Sequence, residues 1–432
     1  SLLSFKPSEP HLSHYLRDVK GFTRDAVNND IYPVYTYTSL VVVSLLAASE
    51  VCGVGANRIV NDKVIIVFGC LNRIVTRFLL LFGTSLLDMQ LMQVTYSMGI
   101  VSEVVFQAYC LKVVSLKETQ RLTAVVQASY LVSHTAAGFV GDALLRWTSF
   151  GLTGLMWISA VSVFLAAVVA MCLRSVDSDH VSMSNVPDAL WRTAKSRRYW
   201  LSALWWVPSY AIYQTVYGYE SSVYEEYVQG ADNNGTIFAV ALLMGAVSAL
   251  SLSWRRLEQC ALHAPQLLFV FLGGVLAVVT AIMAAWPSVE WALAGSFIVF
   301  FMVWGFGNTF FLAETRRAVQ LASLAACPER EALRQHLVSV VFVTVSAMAN
   351  LVQGLLTAIV FTWEQYDIAE VFRIMAESQG IWMGILLVLV VATRTSVAND
   401  AQLSLSDDTV VLTSSQCRNE NMLHTSEGER LD

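Results

Sequence analysis

The sequence predicts an all-α membrane protein: twelve helices in two six-helix halves, with the first helix truncated. Three observations predict it. Hydrophobic residues fill 56% of the 432 positions and charged residues 14%, where a soluble domain carries roughly 25% charged residues. Such a chain has too little polar surface to solvate itself, so lipid is the expected solvent. Apolar runs of the length a bilayer requires, about 20 residues, recur along the chain. The longest internal polar gap, at 174–197, divides those runs six and six.

Eleven runs are complete: 31–53, 63–86, 88–113, 121–146, 150–173, 198–220, 235–253, 265–286, 289–313, 336–362 and 377–394. Residues 1–16 read as the last half of another helix placed first. The chain opens on Ser1 with almost nothing ahead of Ser4-Phe5-Lys6-Pro7, so the expectation is a chain that begins inside its first span. The layout is then 1–173 as the first half, 174–197 as a cytoplasmic central loop, 198–394 as the second half, and 395–432 as a polar, Ser/Thr-rich cytoplasmic tail expected to be disordered. Two six-helix halves joined by a charged loop resemble the major facilitator pattern.

Loop charge sets the expected orientation. Even-numbered loops and their flanks, from Arg58 to Arg394, hold seventeen Lys and Arg. Odd-numbered ones hold five: Arg17, Lys20, Arg24, Arg146 and Arg373. Both termini are therefore expected in the cytoplasm. The sequon Asn234-Gly235-Thr236 falls on the outer side. No cysteine falls in an outer loop, so reduced thiols are expected.

Polar residues within the spans are the candidate machinery, because a charge in the bilayer costs several kcal/mol unless it faces protein or water. Gln93, Tyr96, Glu103 and Gln107 share one face of the third complete span. Glu103 is read as a substrate or proton site, against a carboxylate paired with a neighbouring Arg. Gln127, Tyr130 and His134 repeat the pattern on the next span; His134 is a coupling group or a buried neutral ring. Ala136-Ala137-Gly138 beside it predicts close helix packing. Arg73 and Arg77 are one turn apart. They pair with an acid, bind an anionic substrate group, or snorkel.

The first helix of the second half carries Trp205, Trp206, Tyr210, Tyr213, Gln214 and Tyr217, suited to stacking on a heterocycle or holding a cation; Trp205 reads as an interface anchor. Ser346, Asn350 and Gln353 form a stripe on the eleventh helix. Lys6-Pro7-Ser8-Glu9-Pro10 should break the first helix, which is tolerated where backbone borders a cavity. Glu9 is a second acidic candidate.

Several motifs resemble the reduced folate carrier and thiamine transporter family. They are Phe5-Lys6-Pro7-Ser8-Glu9-Pro10 with His14-Tyr15-Leu16, Tyr32-Pro33-Val34-Tyr35-Thr36-Tyr37, Leu79-Leu80-Leu81-Phe82-Gly83, Met89-Gln90-Leu91-Met92-Gln93, Tyr96-Ser97, Ser102-Glu103-Val104 and Leu204-Trp205-Trp206. The resemblance is specific over 4–146, recognisable near 200–217 and 233–250, and vague beyond 260. It implies a major facilitator bundle that moves a water-soluble vitamin by alternating access in the plasma membrane. Glu103 and Pro10 resemble the thiamine type, where a buried acid suits a thiazolium cation. Vertebrate folate carriers have arginine at the Glu103 position. Gln93 stands where vertebrate members have an acid, Arg77 where they have an aromatic residue, Tyr35 at a tryptophan position and His134 at a tyrosine position. A site that loses an acid and gains a cation suits a phosphorylated or anionic vitamin better.

The expected substrate-binding set is Glu9, Tyr35, Arg77, Gln93, Tyr96, Glu103, His134 and Gln214. Thiamine leads as the expected cargo. The alternatives are a folate or other organic-anion carrier using Arg73 and Arg77, and a transport-dead receptor or scaffold. The partners implied are the vitamin, membrane lipid and, as a coupling ion, the proton. The net charge of −6 gives no reason to propose nucleic acid. No cofactor, metal cluster, nucleophile–base pair or phosphate-cradling Gly loop points to an enzyme.

Overall fold

A computed structural model describes residues 2–51, 62–113, 116–173, 191, 193, 195–228, 234–252, 263–324 and 331–393, and the structural statements below are made of these. The central loop at 174–197 lies largely outside them. So do the tail at 395–432, the side chains of Gln107 and Gln127, and most of the cysteines; Cys70 is buried and free, and Cys172 is exposed and free.

The chain is helical throughout its described length. α1 is the set of short pieces Leu2–Ser4, Glu9–His11, Leu12–His14 and Tyr15–Val19. α2 is a π-helical turn, Ala26–Ile31, running into Tyr32–Val51. Then come α3 (Asp62–Phe82), α4 (Leu86–Val113), α5 (Leu116–Trp147), α6 (Gly151–Met171), α7 (Arg197–Tyr227), α8 (Asn234–Ser251), α9 (Pro265–Ala285) and α10 (Glu290–Leu324). α11 is Glu331–Thr357 continued by Ala358–Trp363, and α12 is Ile368–Ala392. Contacts divide the chain into Ser1–Met383, which holds the helices discussed below, and Gly384–Asp432, which holds the end of α12.

α3 shows how the spacing works. Phe68, Leu71, Val75, Phe78 and Phe82 are exposed, while Ile66, Cys70, Arg73, Arg77 and Leu80 are buried. Both series step by three and four, so they are opposite faces of one helix. The outer face is apolar, as lipid requires, and both arginines point into protein. Eight helices are long and apolar enough to cross a bilayer: α2, α3, α6 and α8–α12. α4, α5 and α7 fall short of that mark among the described residues. They are the helices whose polar stripes face inward.

Three boundaries depart from expectation. α7 runs seven residues past 220, because Val223 and Tyr224 continue its buried face at 1% exposure. α10 reaches Leu324 rather than 313. α12 begins nine residues before 377: Ile368, Val371, Phe372 and Met375 are buried, while Arg373 pairs along the outside with Glu370 and, at 3.9 Å, with Glu377. The polar half of that amphipathic turn hid it. α1 is broken across Pro7 and Pro10, as Lys6-Pro7-Ser8-Glu9-Pro10 predicts.

The halves meet along α2 against α11 and α5 against α8. At the second contact the backbones nearly touch. A Cβ on Gly138 would lie 2.4 Å from the Gly235 carbonyl oxygen and 2.9 Å from Ala239 Cβ, which is the close packing that Ala136-Ala137-Gly138 predicts. Gly138→Ala should therefore force α5 from α8 and destabilise the protein by about 1–3 kcal/mol, seen as a lowered melting temperature in detergent. A wild-type melting curve would contradict this contact. Asn234 is buried and donates Nδ2 to the Pro10 carbonyl at 2.6 Å. Glycosidase treatment of the expressed protein should therefore leave its gel mobility unchanged.

Candidate functional site

The break in α1 creates the site's first elements. Pro7 and Pro10 supply no backbone N–H, so regular helix cannot pass through them. The chain turns as short 3-10 segments, and the Pro7 carbonyl lies 2.7 Å from where a Gly141 Cβ would stand. Only a glycine lets α5 approach so closely. The turn brings Lys6 Nζ to 2.5 Å from Glu9 Oε2. Tyr96 on α4 donates its hydroxyl to Glu9 Oε1 at 2.6 Å and accepts from Lys6 at 3.1 Å.

Arg73 completes this cluster. Its Nη2 donates to Glu103 Oε1 at 2.5 Å, and its guanidinium carbon lies 4.8 Å from the Tyr96 ring centroid. Room for it comes from Gly99, where a Cβ would sit 2.7 Å from Arg73 Cγ. Tyr96 is thus clasped between two ion pairs, Lys6–Glu9 and Arg73–Glu103. Tyr35 packs against it with ring centroids 5.6 Å apart.

Arg77, one turn along, differs. Nη1 donates to Ser8 Oγ at 3.3 Å, and Ser8 Oγ accepts from Ser159 on α6 at 2.9 Å. Among the described residues no carboxylate lies within 4 Å of Arg77. It is 6% exposed, and it borders a cavity of roughly 970 Å³, counting the part open to solvent.

Six members of the expected set line this cavity: Glu9, Tyr35, Arg77, Gln93, Tyr96 and Gln214. The second half contributes Gln214, Tyr217, Glu220, Phe238 and Gln353. Gln214 is held by Tyr210, to whose hydroxyl it donates at 3.0 Å. Behind that surface stands an aromatic stack. Tyr213 lies 4.5 Å from Trp304 at 12°, and Trp206 lies 5.0 Å from Phe311 at 16°.

Glu103 and His134 do not border the cavity. Glu103 is taken by Arg73, the pairing set out as its alternative. His134 Nδ1 lies 3.0 Å from the Tyr130 carbonyl of its own helix, with its ring 4.3 Å from Tyr130's. Of the eleventh-helix stripe, Gln353 reaches the cavity, whereas Asn350 donates to the Ser346 carbonyl at 2.7 Å. Trp205 is no interface anchor. It is fully buried, stacked 4.9 Å from Phe269 and 6.2 Å from Trp304, in space left by Gly307.

Sequence reasoning missed Asp142, His11 and Glu220. Asp142 accepts from the backbone N–H groups of Gly235 at 3.1 Å and Thr236 at 2.6 Å, and from the Thr236 hydroxyl at 2.6 Å. It thereby serves the free donors at the start of α8. His11 Nε2 stands 3.1 Å from the same carboxylate, off the line of a hydrogen bond. Asp142 follows His134 by eight residues but sits near the predicted end of α5, where an acid reads as a solvated terminus. Glu220 sat at the predicted end of α7, where an acid reads as a solvated terminus.

One end of the cavity is closed. Tyr219 stacks on Phe361 at 4.2 Å with planes 2° apart and donates to the Asn28 carbonyl at 3.1 Å. Ser222 donates to Ser13 at 3.2 Å. Past these, Arg24 bridges Glu226 and Asp367, and Tyr227 donates to Asp367. Arg17 meets Glu225 at 3.4 Å. His14, Asp18 and Glu225 also gather there, their ligand atoms within 4.8 Å of one another. With Arg17 as counter-charge and half-exposed side chains, they form an ion-pair cluster rather than a metal cage. Burial pushes the Glu226 carboxyl, past the apolar part of α7, up to about 7, with Arg24 pulling the other way.

The closed end is the place to test this seal. Arg24→Gln should release the first half from Glu226 and Asp367 of the second. We expect at least several-fold faster labelling of a cysteine placed at Ser222 by an impermeant thiol reagent. Because the Glu226 carboxyl binds its proton more tightly when buried in the seal than when exposed, the seal gains stability as pH falls through about 7. Labelling, normalised to the thiolate fraction at each pH, should therefore slow between pH 8 and pH 6, and Glu226→Gln should remove that residual dependence.

Comparison with known proteins finds sequences and structures similar to this chain. Residues 1–186 match the family model described as reduced folate carrier. A folate-like transporter from Dictyostelium discoideum is 28% identical over 250 residues, covering 58% of this chain and 43% of the relative. Human thiamine transporter 1 is 32% identical over 171 residues, covering 39% of this chain and 33% of the relative. Folate transporter 1 of Caenorhabditis elegans is 23% identical over 328 residues, covering 66% and 70%. The chain thus spans less than half the length of the first two. Among solved structures, the nucleoside transporter NupG aligns with TM-score 0.59 at 12% identity, over 90% of this chain and 96% of that one. A POT family transporter in complex with 5-aminolevulinic acid aligns with TM-score 0.60 at 11% identity, over 90% and 93%. The likeness to these solved structures shows the fold they share with this chain, whose apolar helices are those of a multi-pass membrane protein.

Proposed function

Taking the chain, through residues 1–186, as a member of the reduced folate carrier family, we propose that it carries a water-soluble vitamin bearing an anionic group across a membrane by alternating access. The single observation behind this reading is Arg77. Of the three cations around Tyr96, Lys6 and Arg73 each have a carboxylate at 2.5 Å, and Arg77 has none. A buried guanidinium facing a cavity is a ready counter-ion for a carboxylate or phosphate, which it can meet with two parallel hydrogen bonds. Tyr35, Tyr96 and Tyr217 offer flat faces for a heterocycle, and Gln93, Gln214 and Gln353 offer amide donors and acceptors.

In this reading the two six-helix halves rock about the cavity. Loop charge puts both termini in the cytoplasm, so the end closed by Arg24 faces outside and the structure is of an outward-closed state. The plasma membrane is the proposed location, following the family resemblance. The same cavity supports a second reading, thiamine, because Glu9 borders it. That reading requires Glu9 to exchange Lys6 for the thiazolium. Glu103, which made thiamine the leading expectation, would also have to leave Arg73.

Uptake of labelled folate and labelled thiamine into vesicles, each competed by the other, separates the two. We expect folate uptake, and a drop of at least tenfold for Arg77→Gln, the scale of losing a charged hydrogen bond worth about 1.5–3 kcal/mol. Thiamine uptake unaffected by Arg77→Gln would overturn the anion reading. Binding of either vitamin without uptake would make the chain a receptor instead.

A further inference from the structure

Glu220 is the carboxylate that the proposed function leaves unused. It borders the same cavity, yet it is 3% exposed and its Oε1 has no hydrogen-bond partner. Among the described residues no Lys, Arg or His nitrogen lies within 4 Å of it. The neighbours do not supply a counter-charge either. From α5 the facing group is Asp142, another carboxylate, with His11 of α1 on its far side. α2 presents Tyr32 and α1 presents Ser13. Along its own helix stands Tyr224, with Glu290 of α10 beyond. Glu9 and Arg77 border the same cavity, and Glu9 is already paired with Lys6.

An ionised carboxylate buried without a cation or donors costs several kcal/mol, whereas the neutral acid costs what a polar group costs. The site's place in the fold adds a second fact. Glu220 lies beside the seal, one residue from Tyr219, which stacks on Phe361, and two from Ser222, which is bonded to Ser13. When those contacts part, Glu220 is among the first groups that water reaches.

We propose that Glu220 is a proton-binding site that couples proton movement to that of the anion. The inference rests on the anion reading above. In the closed-ended state Glu220 is a neutral acid, and the cavity charge is that of Arg77. Loss of the proton places a carboxylate on the cavity wall and cancels the attraction for an anion. Proton and anion therefore favour each other's binding, a reciprocal coupling, and they move together in one direction. The step is a proton transfer only. The carboxyl takes a proton from water on the acidic side, keeps it while the anion is bound, and returns it to water on the other side.

Two measurements test this, one of them independent of any substrate. Infrared titration of the purified full chain should show a protonated-carboxyl band that persists above about pH 8, beyond the range in which Glu226 titrates, and that is missing from Glu220→Gln. An identical band in the variant would overturn the proposal whatever the chain transports. In proteoliposomes, an inward acid gradient should stimulate wild-type uptake of labelled folate at least fivefold. Glu220→Gln should abolish the stimulation, and Glu220→Asp, which keeps a carboxyl, should restore part of it. Stimulation that persists in Glu220→Gln would overturn the coupling role even if the band is lost. If folate is not taken up at all, the anion reading fails, and the infrared result still decides whether Glu220 holds the proton.

Discussion

Two ion pairs around one tyrosine set the terms for everything else in this bundle. Lys6–Glu9 and Arg73–Glu103 hold Tyr96 between them, and each pair joins neighbouring stretches of helix that lipid alone would not hold together. For Lys6–Glu9, the more enclosed pair, removing one partner leaves the other charge stranded, typically at a cost of about 3–5 kcal/mol, whereas Glu103 is 40% exposed and its pair with Arg73 is worth less. The pairs also decide the chemistry. They remove two acids and two bases from the reckoning, and Arg77 and Glu220 remain as the charges a ligand or a proton can address.

The broken first helix makes this arrangement possible. A regular helix through residues 5–11 would place Lys6 and Glu9 on its surface as an ordinary i, i+3 pair. Instead the prolines turn the chain so that Lys6, Ser8 and Glu9 reach α3, α4 and α6 at once, with Pro10 accepting from Asn234 of the other half. Irregular backbone of this kind is stable where protein or a water-filled cavity surrounds it. The same turn runs on to Ser13 and Arg17, which take part in the seal. One segment thus connects the cavity charges, the inter-half contacts and the closed end.

Much of this was legible in the sequence. Helix number, most boundaries, and the inward faces of α3 and α4 follow from apolar length and from steps of three and four. What stayed hidden was partnership. Spacing put Glu103 and Arg73 on inward faces but could not choose between a free counter-ion and a pair, and both stood as readings of Glu103. Trp205 read as an anchor because its burial depends on a glycine about a hundred residues away. Glu220 and the start of α12 were hidden by polar neighbours that turn out to cover one side of a helix whose other side is buried. Asp142's role was hidden because its donors are mainly the backbone of another helix.

The central claim is that the cavity recognises a negative group through Arg77 while the two ion pairs stay intact. A density map of the purified protein incubated with folate tests it most directly. The account predicts a carboxylate of the ligand within about 3 Å of the Arg77 guanidinium, its ring system against Tyr35 or Tyr96, and both pairs unbroken. Folate bound away from Arg77, or a map in which thiamine displaces Lys6 from Glu9, would contradict it.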